Sequence, residues 1–194
     1  MKTASEPLAG VSQLLRLEVT DSTQTVAKFL AQQGAAEGTL VWADRQTAGR
    51  GRLERRWDSR PGGLYVSLIL RPGVAPKKLA GLSLTAAEAC AKALASLADV
   101  ETRVKRPNDV LAFRNGAGGK VCGILIEASG GLKRVDWTVV GIGVNVNNRP
   151  ALPGSTSLGA LTGRRWDTEK VLRAVLRQFH ARYTRFLRLT PGSN

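Results

Sequence analysis

Apolar residues recur along this chain with two different periods, and each period predicts its own kind of secondary structure. Alternating or continuous apolar runs bounded by turn-forming residues predict strands over 14–19, 39–43, 64–70, 102–105, 110–113, 121–127 and 134–146. Apolar residues three and four positions apart predict helices after Asp21, over 77–97 and over 168–187. The strands are concentrated in the middle of the chain, and the helices fall in three separate places.

Two of the predicted helices have recognisable ends or faces. Ser22 and Thr23 suit the N-cap of the first helix, and Gly34 suits its end. The predicted apolar face of this helix consists of Val26, Phe29 and Leu30. The last helix has a longer apolar stripe, formed by Val171, Leu172, Val175, Leu176, Phe179, Tyr183, Phe186 and Leu187. A stripe of that length predicts packing along a core.

The connections between the strands indicate the fold class. Short turns join consecutive strands, and the segment from Asn115 to Gly119 predicts a hairpin turn. We therefore predict an α+β fold, a mixed, largely antiparallel β-sheet with helices packed on one face. A dinucleotide-binding fold is disfavoured because no strand leads into a full glycine fingerprint. No repeat or linker divides the chain, which predicts a single domain over 1–194 with its core at about 14–187.

The composition is typical of a globular protein without membrane segments. Hydrophobic residues make up 43% and charged residues 23% of the chain, and no apolar run reaches membrane-spanning length. Residues 1–11 lack the continuous apolar stretch of a signal peptide. Only Cys90 and Cys122 are present, which predicts no disulfide framework and a reducing, cytoplasmic location.

The charge balance is strongly basic. The 29 lysines and arginines exceed the 15 acidic residues, for a formal net charge of +14. Such a charge favours encounters with nucleotides, acidic proteins or nucleic acid, yet scattered cations are also typical of an ordinary solvated surface. The charge alone does not select a partner.

The most distinctive segment is a basic loop over residues 49–57, which begins Gly49-Arg50-Gly51-Arg52 and continues through Arg55 and Arg56 to Trp57. Glycines let a backbone approach a ligand closely, and arginines offer fork-shaped donors to carboxylate or phosphate. The loop arginines and Arg45 repel one another, which predicts a mobile loop that an anionic ligand orders. An ordinary basic surface loop and an arginine–glycine patch for nucleic acid are the alternatives.

Two further segments contain candidate site residues. Lys105-Arg106-Pro107-Asn108-Asp109 ends a predicted strand, and the following hairpin would return Lys120 close to Asp109, so that both could face one anionic centre. Turn chemistry with an exposed ion pair is the alternative. In the segment 141–147, glycines inside a strand pattern suggest close approach by a ligand or by another backbone, with Asn145 and Asn147 on one side of the strand. A twisted strand end with turn asparagines would explain the same pattern.

Taken together, and in their order along the chain, these segments resemble the motifs of the bacterial and archaeal biotin protein ligase family. The resemblance covers residues 14–187. The motifs that carry the resemblance are Asp21-Ser22-Thr23, then Gln46 with the basic loop, then 105–109 with Lys120 and Gly123-Ile124-Leu125, and finally 141–147. The resemblance implies the biotin–lipoate ligase catalytic fold, which is similar to that of class II aminoacyl-tRNA synthetases. It also implies an enzyme that activates biotin with ATP to biotinyl-5′-AMP and transfers biotin to a lysine of a biotin carboxyl carrier protein.

The resemblance further implies roles for individual residues. The biotin-binding residues would be Ser22, Thr23, Gln46, Gly49, Arg50, Lys120 and Gly123. The ATP-binding residues would be Arg52, Arg55, Trp57, Asn108 and Asn145. The catalytic residues would be Lys120, Arg52 and Asp109, because cations must hold two anionic reactants together and Asp109 could orient the acceptor lysine.

The expected cofactors and partners follow from the same resemblance. They are ATP, biotin and Mg²⁺ on the phosphates, with no metal ion held by the protein and with the carrier protein as partner. No helix-turn-helix candidate precedes Leu14, so no DNA binding is expected, and no membrane partner is expected either. Relatives often dimerise through sheet edges, which allows a homodimer here.

This sequence departs from the family pattern at three places. Arg106 replaces the usual tryptophan, Glu54 interrupts the arginines of the loop and could pair with one of them, and little sequence after Leu187 could form the C-terminal β-barrel of relatives. Adenylate formation is therefore a safer expectation than efficient transfer. The alternatives are a lipoate-protein ligase with the same chemistry, a degenerate relative that only binds biotin, and a basic nucleic-acid-binding module.

Overall fold

A computed structural model describes residues 6–190 of the chain. Its strands are β1 (Gln13–Thr20), β2 (Thr39–Gln46), β3 (Leu64–Leu70), β4 (Glu101–Lys105), β5 (Asp109–Arg114), β6 (Ala117–Gly130) and β7 (Val135–Val144). Its helices are α1 (Thr23–Gln32), α2 (Leu79–Ala98), α3 (Leu158–Thr162) and α4 (Thr168–Leu189), and short 3₁₀ turns cover Arg52–Glu54 and Pro76–Lys78. Residues 1–5 and 191–194, which the predictions of a missing signal peptide and of a 1–194 domain include, lie outside the described residues.

The strands form one seven-stranded sheet in the order β1-β2-β3-β7-β6-β5-β4. Only β1 and β2 pair in parallel, and the other five neighbouring pairs are antiparallel. Parallel neighbours need a crossover, which α1 supplies, whereas short turns suffice between antiparallel strands. The predicted mixed, largely antiparallel α+β sheet is confirmed.

Each face of the sheet is covered by different helices. Alternate strand residues such as Leu68, Ile142 and Ile124 point to the main core, where the two long helices α2 and α4 pack. Their neighbours in sequence point the other way, and there Val41, Ile69 and Val139 pack against α1 in a smaller cluster. The long helices share one face as expected, while the position of α1 on the opposite face was not apparent from the sequence.

Helix α1 begins as predicted but buries a different face. Ser22 is its N-cap and accepts a hydrogen bond from Gln24 N at 3.2 Å. Its buried residues include Gln24, Ala27 and Ala31, whereas Phe29 is 60% exposed. The predicted apolar face is therefore wrong at Phe29, because close packing of α1 on the sheet needs small side chains and the pocket described below needs polar ones.

The long elements match the prediction closely, and the differences lie at their ends. The hairpin turn is only Asn115-Gly116, since residues 117–119 already belong to β6. Strand β7 ends at Val144, before Asn145 and Asn147, and α3 was not predicted. The predicted stripe of α4 is buried from Val171 to Tyr183.

Two smaller observations complete the fold. Cys90 and Cys122 are both buried and form no disulfide. Within residues 6–190, none of the helices combines the length and the apolar character needed to cross a membrane.

Candidate active site

A cavity of about 520 Å³ opens on the α1 face of the sheet, on the side opposite the main core. Its volume is in the range of sites for small organic ligands. The cavity is formed by the start of α1, the end of β2, the basic loop, the first half of β3, the middle of β6 and the end of β7. Every site residue predicted from the sequence lines it except Gly49. Gly49 lies at the base of the loop, where a Cβ would come within 2.4 Å of Ser59 Oγ.

The floor of the cavity depends on glycines of two paired strands. Gly123 of β6 pairs with Gly143 of β7, and the indole of Trp57 lies over both. A Cβ on Gly123 would lie 2.8 Å from the indole, and a Cβ on Gly143 would lie 2.6 Å from Trp57 Nε1. In this structure the group that approaches these glycines is the side chain of Trp57, rather than the ligand or second backbone expected at the glycines of 141–147. Trp57 Nε1 is buried and has no hydrogen-bond partner among residues 6–190, so it is a donor available to a ligand oxygen.

Hydrogen bonds prearrange the polar groups at Thr23 and Gln46. Gln46 Oε1 accepts from Thr23 N at 2.8 Å and from Thr23 Oγ1 at 3.1 Å. Gln46 Nε2 donates to Ser59 Oγ at 2.7 Å, which leaves its second N–H for another acceptor. Hydrogen bonds within the protein therefore hold both side chains in place.

Two further residues support this arrangement from beneath, and sequence reasoning missed both. Ser67 Oγ lies 2.9 Å from Thr23 Oγ1 and donates to Gln24 Oε1 at 3.0 Å. Gln24 Nε2 in turn donates to Val139 O at 3.3 Å. The available signal was the one serine in the otherwise apolar and aromatic strand 64–70, since a polar residue in a buried strand needs partners.

Lys120 and Asp109 form an ion pair at the mouth of the β5–β6 hairpin. Lys120 Nζ lies 2.8 Å from Asp109 Oδ1, and both side chains remain partly exposed. The angles of this contact are not those of a hydrogen bond. The predicted approach of Lys120 to Asp109 is present, and a shift of register between Val110 and Leu111 accompanies it. Lys120 Nζ also lies 5.2 Å from the centre of the Trp57 ring, within reach of a cation–π interaction.

The basic loop folds back on itself across the cavity. Trp57 N donates to Gly49 O at 2.9 Å, and Gly51 N donates to Arg55 O at 2.7 Å. At its tip, Leu53 and Glu54 adopt positive φ angles of 53° and 59°. Such angles are unfavourable for residues other than glycine, so the tip is held by the rest of the loop.

The loop arginines make separate contacts around the cavity. Arg50 Nη2 lies 3.3 Å from Glu127 Oε1, Arg52 Nη1 donates to Asn108 Oδ1 at 3.0 Å, and Arg56 Nη2 donates to Thr47 O at 3.2 Å. All four loop arginines nevertheless remain exposed to solvent. The expected pairing of Glu54 with an arginine is absent among the described residues.

Asn145 and Asn147 do not share one side of a strand, contrary to the prediction, because both follow the end of β7. Asn145 lines the cavity, and its Oδ1 accepts from Asn148 Nδ2 at 2.9 Å. Asn147 instead binds the backbone of Trp166 through both of its amide atoms, at 2.8 Å each. Asn147 is therefore a structural residue, whereas Asn145 is available to a ligand.

Two titratable groups near the cavity remain protonated at neutral pH. Burial, with the nearby charge of Asp58, raises the pKa of the Tyr65 phenol, which donates to Arg60 O at 2.7 Å. Contact with the Cys90 thiol and then burial raise the pKa of Cys122. Neither group is suited to act as a base or nucleophile.

The fold and the cavity define a class of protein: an α+β domain whose single cavity is lined by uncharged polar groups and by cations. Residues 16–147 match the model of the biotin/lipoate A/B protein ligase family. Because this match spans more than half of the chain, the chain belongs to that family, and the resemblance drawn from its motifs is confirmed.

Individual relatives agree with this assignment. The bifunctional ligase/repressor BirA of Bacillus subtilis is 40% identical over 181 residues, which cover 90% of this chain and 54% of that protein. A biotin–[acetyl-CoA-carboxylase] ligase of Mycobacterium tuberculosis is 34% identical over 194 residues, covering 94% and 68%. The structure of the biotin protein ligase from Aquifex aeolicus with biotin and ATP superposes with a TM-score of 0.76 at 36% identity, covering 92% and 73%. The chain thus spans about half the length of the Bacillus relatives it matches.

Proposed function

We propose that this chain activates biotin with ATP to form biotinyl-5′-AMP, and then transfers biotin to a lysine of a biotin carboxyl carrier protein. One observation carries the proposal: a single cavity combines prearranged amide and hydroxyl groups with Lys120 and the basic loop. The names of the relatives support it, since they are biotin ligases and the Aquifex structure contains biotin and ATP.

The polar groups at the start of α1 suit the ureido ring of biotin. A cyclic urea has one carbonyl acceptor and two N–H donors, and Ser22, Thr23 and Gln46 offer both donors and acceptors. The backbone at Arg50, positioned by Gly49, would assist. Gly123 would allow the ligand to lie close to the sheet.

The cations suit the carboxylate of biotin and the phosphates of ATP. Lys120 would lie between the carboxylate and the α-phosphate, and Arg52 and Arg55 would bind phosphate oxygens. Arg52 must then exchange its contact with Asn108 Oδ1 for one with the nucleotide. The remaining nucleotide contacts would come from Trp57, Asn108 and Asn145.

In the first half-reaction, a carboxylate oxygen of biotin attacks the α-phosphorus of ATP and pyrophosphate leaves. Both reactants are anionic, so Lys120 and Arg52 would hold them together and stabilise the additional charge of the transition state. The product is a mixed anhydride that water hydrolyses. A basic loop folded across the cavity would exclude that water.

In the second half-reaction, the acceptor lysine attacks the acyl carbon of biotinyl-5′-AMP, an amide bond forms and AMP leaves. The attacking amine must be neutral and loses a proton as the amide forms. Asp109 would orient this amine or accept the proton, while its ion pair with Lys120 keeps the carboxylate in place.

Mg²⁺ would arrive with the nucleotide. The residues that the structure describes contain no group of three or more histidine, cysteine or acidic side chains able to hold a metal ion. The phosphate oxygens of ATP and water molecules would therefore supply most of its ligands, as is usual for Mg²⁺. Its contribution would be to reduce the charge on the phosphates.

The cavity favours biotin over lipoate. A dithiolane ring offers no good acceptor for the remaining N–H of Gln46, and a polar group left without a partner disfavours the wrong ligand. The two buried cysteines, neither of them in a disulfide, support a reducing, cytoplasmic location. A homodimer stays a prediction.

The test is to incubate the purified chain with ATP, Mg²⁺ and either biotin or lipoate, and to detect the acyl-adenylate by mass spectrometry. We expect biotinyl-5′-AMP and little lipoyl-AMP. A second incubation with a carrier protein should add the mass of one biotinyl group. Lipoyl-AMP alone would identify a lipoate ligase, and biotin binding without adenylate would identify a relative that only binds biotin.

A further inference from the structure

Glu127 of β6 is the meeting point of three elements around the cavity. Its Oε1 lies 2.7 Å from Lys28 Nζ of α1 and 3.3 Å from Arg50 Nη2 of the basic loop. The side chain of Glu127 is only 22% exposed, whereas that of Arg50 is 45% exposed. A mostly buried carboxylate therefore holds one cation from a helix and one from the loop.

The position of Glu127 explains why it can reach both. Gly123 and Glu127 are four positions apart in β6 and so lie on the same face of the strand, the face that contains the cavity. Strand β5 pairs with β6 only as far as Gly123, so the Glu127 side of β6 has β7 as its strand neighbour. The basic loop and α1 approach over this uncovered part of the sheet.

We propose that Glu127 is a positioning residue that latches the basic loop over the bound ligand, and that Lys28 weakens this latch by sharing the same carboxylate oxygen. Its ligand-dependent part rests on the proposed function. Arg52 must leave Asn108 to bind phosphate, but nothing in the proposed ligand contacts requires the Arg50 side chain, because only the Arg50 backbone faces biotin. The contact between Arg50 and Glu127 can therefore persist while ligand is bound.

The sharing of one oxygen makes the two partners of Glu127 act in opposite directions. Removing the Glu127 charge frees Arg50 and loosens the loop. Removing the Lys28 charge leaves the carboxylate to Arg50 alone and tightens the loop. If Glu127 merely held α1 against the sheet, both changes would instead loosen the structure in the same direction.

Limited trypsin cleavage tests the latch without any ligand, since the loop offers Arg50, Arg52, Arg55 and Arg56 as sites. We expect Glu127→Gln to speed cleavage within 49–57 and Lys28→Met to slow it, each by about twofold to fivefold, the range for a partly exposed ion pair. Glu101→Gln, which removes a similar pair with Arg103 on β4, is the matched control and should leave the rate unchanged. Thermal melting identifies any variant that fails to fold.

The dissociation rate of radiolabelled biotin, measured by a chase with unlabelled biotin, should follow the same order. Glu127→Gln should release biotin faster than the wild-type chain, and Lys28→Met should release it more slowly. Changes of the same sign in both variants, or no change in either, would refute the latch. If the wild-type chain forms no biotinyl-5′-AMP while the opposite effects on cleavage are found, the proposed function fails and the latch stands.

Discussion

The two faces of the central sheet are built from the same strands, yet around the cavity they have opposite compositions. On the α2 and α4 face, neighbouring strands contribute Leu68, Ile142 and Ile124, all buried and apolar. On the α1 face, the adjacent residues are Ser67, Gly143 and Gly123, which line the cavity. Because successive strand residues point to opposite faces, one strand can stabilise the fold and form the site at the same time.

This difference shows that the residues that form the site are largely distinct from the residues that stabilise the fold. The core face has large side chains in close contact, so a change of volume there affects the free energy of unfolding. The cavity face has small and polar residues that leave space, so changes there should affect ligand binding first. Substitutions at adjacent residues can test this separation directly.

The largest expected effect is on the core face. Ile142→Ala removes a buried side chain and should lower the free energy of unfolding by about 2 to 5 kcal/mol, measured by urea denaturation. The matched change at the next residue, Gly143→Ala, places a Cβ 2.6 Å from Trp57 Nε1 and should displace the indole. Gly143→Ala should weaken nucleotide and biotin binding more than stability. Equal losses of stability in both variants would contradict the separation of the faces.

The next effect concerns the charge in the cavity. Lys120→Ala should reduce the rate of biotinyl-5′-AMP formation about 10²- to 10³-fold, the loss typical for removing one preorganised electrostatic group. Its melting temperature should stay close to that of the wild-type chain because Lys120 is partly exposed. Lys92→Ala, an exposed change on α2, is the control for charge alone. Full adenylation by Lys120→Ala would remove this lysine from the site.

A smaller effect, on biotin affinity, is expected for Ser67, which supports Thr23 from below the cavity. Ser67→Ala removes the hydroxyl that contacts Thr23 and Gln24, and should weaken biotin binding by about 1 to 3 kcal/mol by leaving polar groups without a partner. Isothermal titration with biotin measures this change. Ser96→Ala, on the exposed side of α2, should have no effect. Unchanged affinity in Ser67→Ala would mean that Gln46 alone orients Thr23.

The smallest effect is a dependence of stability on alkaline pH. Burial raises the pKa of Tyr65 on the cavity face and of Tyr183 in the main core above the ordinary value of 10.0. Above pH 10 the unfolded chain loses these protons while the folded chain retains them, so the free energy of unfolding should fall as pH rises. Below pH 10 this contribution is fully present.

Urea denaturation across this pH range, with Tyr65→Phe and Tyr183→Phe, separates the two faces. Each variant should lose about 1 kcal/mol at neutral pH with its hydrogen bond, and should show a shallower decline above pH 10. The free energy of unfolding of the double variant should fall least as the pH rises above 10. If the free energy of unfolding fell equally steeply with pH in all four proteins, neither tyrosine would be the cause of the decline.

The sequence predicted most of the elements and many of the residues that line the cavity, because those depend on local patterns. The stripe of α4 and the alternation in 64–70 are visible in single segments, and the glycines of 49–51 and 141–143 are informative in their own strand or loop. The motifs also identified the family. The motifs did not identify Gln24 and Ser67, because the roles of these two residues arise only from contacts between α1 and β3.

The sequence alone therefore determined the kind of elements, the family and the chemistry of the candidate residues. Only the tertiary structure decided which face each element covers, why Phe29 is exposed, and that Asn145 and Asn147 have separate tasks. The physical reason is that periodicity specifies which side of an element is apolar, whereas the pairing of distant strands decides what that side meets. Glu127 illustrates the point, since its two cations come from positions 28 and 50 and meet only in the folded chain.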